Sequence, residues 1–191
     1  MARMLNPVHL VLGEDDFLAE RATKAIVAQA GEGVEVTTLR AGDVSEGEIA
    51  MATSPSLFAE DRVVVVKHAE LAGKEPTEIL LQACVNPAPG ITLIVEHTGG
   101  ARQKAMVKKF AKVAEVHKAD ALKDNERRSW LMEEFRSHGV RPTPDVAAAV
   151  LESVGSDLRE LASAVSQLVS DTEGELTVEA VRAYYVGVAE V

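Results

Sequence analysis

Four consecutive valines, Val63-Val64-Val65-Val66, constrain this chain more than any other feature. Successive side chains of a strand point to opposite faces, so an unbroken apolar run belongs in a sheet covered on both sides, the condition of a buried parallel strand. Val8 to Leu12, Val34 to Leu39 and Ile91 to Val95 read as further strands, and Glu115 to Lys118 as a short last one. Between them the apolar spacing predicts helices over Asp16 to Gln29, Glu46 to Thr53, Thr77 to Val85 and Arg102 to Ala114. The first should turn Leu18, Ala22, Ala25, Ile26 and Gln29 to the core, and the last Val107, Phe110, Ala111 and Ala114. Such alternation predicts an α/β domain, a largely parallel sheet with helices on both faces.

Near Leu122 the pattern changes to helices alone. Asn125 to His138 stops at Gly139, a residue suited to ending helices, and Thr143-Pro144 reads as an N-cap followed by proline at the first helical position. Asp157 to Ser170 carries Leu158, Leu161, Ala162, Val165, Leu168 and Val169 at core spacing, and Thr177 caps a last helix through Tyr185. Trp130 and Phe135 are expected in the core of this unit, with Tyr184 and Tyr185 partly buried. The expected division is an α/β domain over 1–122 and a small all-α helical domain over 123–191.

Composition excludes several function classes. At 191 residues, 47% of them apolar, the chain can build a core in each unit. The formal net charge of -10 opposes autonomous nucleic-acid binding, which needs a basic footprint to release counterions. The single cysteine, Cys84, forms no internal disulfide, so a reducing, cytoplasmic setting is expected. Nowhere do roughly 18 apolar residues run together, and no export leader or membrane contact is expected.

In α/β proteins the turn after the first strand is where phosphate is usually held; here it reads Gly13-Glu14-Asp15-Asp16-Phe17. The second glycine, lysine and hydroxyl residue of a phosphate loop are missing, and three carboxylates at a helix N-terminus repel a triphosphate. The same acids resemble the magnesium pocket of receiver domains, a rival reading as a phosphoacceptor. That reading needs an aspartate at the C-terminal end of a later strand, where this chain has Arg40 or Lys67 and His68. An ordinary nucleotide-binding enzyme is the other alternative. His9, His68, His97, His117 and His138 are scattered singly, without metal-ligand spacing, and read as surface or strand-edge residues. Lys104, Lys108 and Lys112 share one helix face, with Lys109 beside it; this is a solvated face or a contact for DNA or another protein.

Leu57 and Phe58 lie outside every predicted element, between the Pro55 break and the charged trio Glu60-Asp61-Arg62. Two readings are open: both side chains tuck under the sheet edge, as large apolar residues usually do, or they form a plug for a partner.

Four segments together resemble a known family: Leu12-Gly13-Glu14-Asp15-Asp16-Phe17-Leu18, Ser56-Leu57-Phe58-Ala59-Glu60-Asp61-Arg62-Val63-Val64-Val65, Gly155-Ser156-Asp157-Leu158-Arg159-Glu160-Leu161 and Thr177-Val178-Glu179-Ala180-Val181. They are similar to the delta subunit of the bacterial DNA polymerase III clamp loader. The resemblance spans nearly the whole chain, and Ser56-Leu57-Phe58-Ala59 running into the valine strand is its most specific part. It implies an AAA+-type fold, a Rossmann-like domain with a helical lid, that does not bind ATP; from the residues themselves no metal and no cofactor is expected. No ATPase activity is implied, although the holoenzyme that the family serves is a DNA-directed DNA polymerase. Leu57 and Phe58 would be the hydrophobic wedge that docks on the sliding clamp, the beta subunit, and helps open the ring, with Met51 and Ala59 widening the contact. The other implied partners are the remaining loader subunits and, only through the complex, DNA. The family also carries a third, collar domain that assembles the loader, and this sequence stops at Gly187-Val188-Ala189-Glu190-Val191, just past the lid. Such a chain is expected to bind a clamp without joining a complete loader.

Overall fold

A computed structural model describes residues 6–58, 60–173 and 175–189. The chain divides into two compact units, Met1–Ala121 and Leu122–Val191.

The first unit holds five strands: β1 (Val8–Leu12), β2 (Glu35–Arg40), β3 (Arg62–Lys67), β4 (Ile91–His97) and β5 (Glu115–Lys118). All pair in parallel, in the order β2-β3-β4-β1-β5. Its helices are α1 (Asp16–Ala30), α2 (Glu46–Thr53), α3 (Lys74–Val85) and α4 (Lys104–Val113), with short 3-10 turns at Ala69–Leu71 and Ala101–Gln103. The strand order decides which face each helix covers. From β1 the chain crosses to the far edge, and every later crossover runs back the other way, so right-handed connections put α1 alone on one face and α2, α3 and α4 on the other.

The valine run meets both layers. Val64 and Val66 join Leu10, Leu93, Val95, Ile49, Leu80, Cys84 and Phe110 beneath α2–α4. Val63 and Val65 join Val11, Ile94, Ala19 and Ile26 on the α1 side. The four valines are at most 2% exposed. At β2, by contrast, Glu35, Val36, Thr38 and Arg40 are exposed, and the charged and hydroxyl side chains of this edge discourage further pairing.

The buried stripe of α1 is Ala19, Thr23 and Ile26; Ala25 and Gln29, expected on that stripe, are exposed. Thr23 rather than an aliphatic residue centres the stripe because its hydroxyl donates to Glu96 Oε1 on β4, 2.7 Å away. The third helix starts at Lys74 rather than at Thr77, since Pro76 falls in its first turn, where a missing N–H costs nothing. Gln103 breaks the predicted Arg102 helix into a 3-10 turn followed by α4.

The second unit consists of α5 (Asp124–Ser137), α6 (Pro144–Val154), α7 (Leu158–Asp171) and α8 (Val178–Ala189). Leu131, Phe135, Val146, Val150, Leu161, Val165, Leu168 and Val181 are buried in it. Asp157 caps α7 by accepting from the Glu160 amide at 2.9 Å, and Thr177 caps α8 by accepting from Ala180 at 3.1 Å. Thr143 occupies the N-cap position of α6 but makes no side-chain cap bond. Trp130 is half-buried rather than in the core. It lies five residues from the buried Phe135, about 140° around the helix, so the two cannot both centre the same stripe. Tyr184 and Tyr185 are half-buried and meet edge to face, with ring centroids 5.2 Å apart.

Burial pushes the Cys84 thiol up to about 12. The thiolate is the reactive form, so Cys84 should be inert to an aromatic disulfide reagent at pH 8 in the folded chain and react in full once the chain is unfolded in guanidinium. Rapid labelling of the native protein would contradict this packing.

Candidate functional site

The segment from α2 to β3 is built as a tethered projection. Ser45 and Glu48 form a capping box that starts α2: Glu48 N donates to Ser45 Oγ at 3.3 Å, and Ser45 N donates to Glu48 Oε2 at 2.7 Å. The Ser45 amide, and the Ser45 hydroxyl that donates to Glu48 Oε2 at 2.9 Å, hold the Glu48 carboxyl below the usual range. At the other end Thr53 Oγ1 donates to Ile49 O at 2.8 Å, and Ser54 Oγ donates to Met51 O at 2.7 Å. The Ser54 bond occupies one of the carbonyls that the helix end leaves free, and Pro55 stops the helix.

The far end of the projection is fixed to the sheet. Arg62 N donates to Gly90 O at 2.9 Å, and the Arg62 guanidinium reaches back to donate to the Ser54 carbonyl. Gly90 has φ +78, and a Cβ there would lie 3.2 Å from Asp61 Oδ1 and 3.3 Å from Glu60 O, so the glycine lets the two turns close on each other. Between the two anchors the chain turns at Leu57 and Phe58, where the Phe58 amide donates to Ser56 Oγ at 3.2 Å.

Leu57 is 97% exposed and Phe58 81%. Of the two readings of this pair, burial under the sheet edge is therefore excluded. Met51, in the last turn of α2, is 76% exposed; Ala59 lies outside the described residues. Three of the exposed large apolar side chains thus fall between positions 51 and 58. Adjacent apolar residues held in water by a pinned loop suit burial in a partner's pocket; covering a Leu and a Phe contributes roughly 3–6 kcal/mol before the costs of association.

Lys104, Lys108 and Lys112 are all exposed on α4, opposite the buried Phe110, and Lys109 lies beside them. The stripe spans about 12 Å along the helix. None of the recorded ion pairs among the described residues involves these side chains.

After β1 the backbone is already committed. Gly13 N donates to His97 O at 3.0 Å and Asp15 N to Ala119 O at 2.9 Å, while the Asp15 carboxylate caps α1 by accepting from Leu18 N at 2.9 Å. A Cβ on Gly13 would come within 2.0 Å of the Ala119 carbonyl carbon, so only glycine lets the turn lie this close to the chain after β5. A phosphate loop works by presenting free amides, and here those of Gly13 and Asp15 are spent on the protein itself. The cleft at the C-terminal ends of β1, β3 and β4, lined by Gly13, Asp16, His68, Glu70, Glu96 and His97, measures about 10 Å³, room for one water at most.

A polar network closes that end of the sheet. His68 Nδ1 lies 3.0 Å from Glu70 Oε1, Thr98 N donates to Glu70 Oε2 at 3.2 Å, and Gln103 Nε2 donates to Glu70 O at 2.8 Å. Gln103 Oε1 in turn lies 2.7 Å from His97 Nε2. His9 and His117, read from the sequence as unrelated, come together: their Nδ1 and Nε2 are 3.0 Å apart across the paired strands β1 and β5. Sequence spacing hid this contact because the partners are on strands that neighbour only after the crossovers.

The family model for the DNA polymerase III delta subunit matches residues 9–120. No curated protein sequence matches the chain. Among solved structures, the chain is similar to the Bacillus subtilis DNA clamp loader delta protein YqeN, at 15% identity and a TM-score of 0.74, covering 94% of this chain and 58% of that one. It is also similar to the Thermotoga maritima RuvB Holliday junction branch migration motor, at 14% identity and a TM-score of 0.56, covering 94% of this chain and 61% of that one. The chain thus spans less than two thirds of the length of either, and the shared architecture is an AAA+-type α/β unit followed by helices.

The network around Glu70 is testable without any partner. Burial works to raise its pKa, but hydrogen bonds from its own backbone, from His68 and from Thr98 outweigh burial and hold the carboxyl below its ordinary value of 4.5. A depressed folded-state pKa stabilises above the unfolded value and is lost as pH falls through the folded one. Glu70→Gln should therefore melt below the wild type at pH 7, with the gap closing as pH falls from 4.5 through the folded pKa; a gap constant with pH would contradict the assignment.

Proposed function

The chain belongs to the DNA polymerase III delta subunit family, and from that premise we propose that it is a non-catalytic clamp-loader subunit that docks on the sliding clamp through Leu57 and Phe58 and helps open the ring. The observation that carries this reading is the exposure of both side chains, 97% and 81%, on a loop pinned at each end. A ring interface held by many small contacts opens when a neighbouring surface is bound more tightly in the open form than in the closed one. A rigid apolar wedge suits that task, because little conformational freedom is lost on docking. Met51 widens the contact.

The first unit then serves as the AAA+-like clamp-binding domain and the second as the lid. ATP is not used by this subunit, which is supported by the committed amides of Gly13 and Asp15 and by the carboxylates of the turn. The lysines at 104, 108 and 112 provide a cationic surface for DNA held by the assembly or for a neighbouring loader subunit. The receiver reading is disfavoured by the ends of the strands, since β2 and β3 lead into Arg40, Lys67 and His68 where an acceptor aspartate is needed.

Calorimetric titration into the sliding clamp of the same organism tests the reading. The wild-type chain should bind, and the Leu57→Ala, Phe58→Ala double variant should lose roughly 3–6 kcal/mol, a hundredfold or more in affinity. Because both side chains are exposed, its melting temperature should not fall. A folded wild type that ignores the clamp would overturn the proposal. Magnesium-ATP should leave the melting temperature unchanged, because a ligand stabilises only a native state that binds it; a rise that grows with ATP concentration would contradict the account of the turn after β1.

A further inference from the structure

His9, Glu115 and His117 meet at the β5 edge of the sheet. His9 is in register with Glu115 and Val11 with His117, and residues two apart on a strand share a face, so all three project from the side that carries α1. That helix packs on β1, β3 and β4. His117 is half-buried and Glu115 exposed, which leaves the cluster approachable from the strand edge.

The geometry suits a shared ligand. His9 Nδ1 and His117 Nε2 are 3.0 Å apart, and one ligand atom from each of the three residues lies within 4.8 Å of the others. Two imidazoles bound to one ion at about 2.0–2.1 Å, with an angle near 90–110°, stand about 2.9–3.4 Å apart. A hydrogen bond between the rings gives the same distance and is the competing arrangement that metal titration separates from ligation. His9 is 1% exposed, so the ring that faces His117 is held in place by the packing around it.

We propose that His9, Glu115 and His117 form a binding site for one divalent transition-metal ion of the zinc class, its remaining positions filled by water at the edge of β5. Two nitrogens and one carboxylate are a borderline donor set that favours such ions over magnesium or calcium, which take mainly oxygen. The bound ion cross-links β1 to β5, the strand from which the chain passes into the second unit. The site is independent of the clamp-binding reading.

Chelator-treated protein titrated with cobalt(II) alone, followed by visible absorption and by calorimetry, tests the site. The wild type should take up one equivalent with a saturable ligand-field spectrum, and zinc should displace the cobalt and raise the melting temperature. His117→Ala, which removes a half-buried ligand and spares the buried one, should bind at least tenfold more weakly, and Glu115→Gln should also bind more weakly. His68→Ala, at a separate histidine, should bind as the wild type does. No saturable one-equivalent binding by the wild type, or binding unchanged in His117→Ala, overturns the proposal and leaves a hydrogen-bonded histidine pair.

Discussion

The requirement to cover both faces of β3 governs the structure. A strand with valine at four successive positions gains nothing from water on either side, so one helix layer must pack on Val63 and Val65 and another on Val64 and Val66. Parallel pairing requires a crossover helix between strands, and the reversal of direction after β2 places α1 on one face and α2, α3 and α4 on the other, which supplies both layers. Both sides of the strand are filled by Leu, Ile, Val and Phe side chains from the neighbouring strands and helices. Leu57 and Phe58, only a few residues upstream, are not among them.

That exclusion gives the loop its character. An exposed Leu-Phe pair on a slack loop would collapse onto the nearest apolar surface. Here the capping box at Ser45, the bonded end of α2, the guanidinium of Arg62 on the Ser54 carbonyl and the closure at Gly90 fix both ends of the projection. The loop is ordered by polar contacts at its base while its tip stays apolar. The committed amides after β1 work in the same direction: a turn closed on Ala119 and His97 holds its shape with no ligand.

Much of this was legible in the residues. The valine run announced a doubly covered strand, and the switch from strand and helix alternation to helices alone near Leu122 announced a second kind of unit. Thr177 declared itself as a helix start because a capping hydroxyl acts within three residues. Other features depended on distance in the chain. The stripe of α1 was misplaced because Thr23 is buried for its bond to Glu96, 73 residues away. His9 and His117 are 108 residues apart and meet only through the crossover order, which no local pattern encodes. Whether Leu57 and Phe58 face inward or outward was undecided for a related reason: residue type favours burial, and only the filled core and the pinned base show where they go.

If Leu57 and Phe58 form the proposed wedge, Phe58 leaves water when the chain meets a sliding clamp. Replacing Trp130 by phenylalanine removes the single native tryptophan, and Phe58→Trp then places the sole indole at the tip of the loop. Free, this reporter should emit at the long wavelength of a hydrated indole, and adding clamp should shift the emission to the blue and shield it from iodide. Clamp binding detected by calorimetry with the emission unchanged would show that the contact lies elsewhere and contradict the wedge.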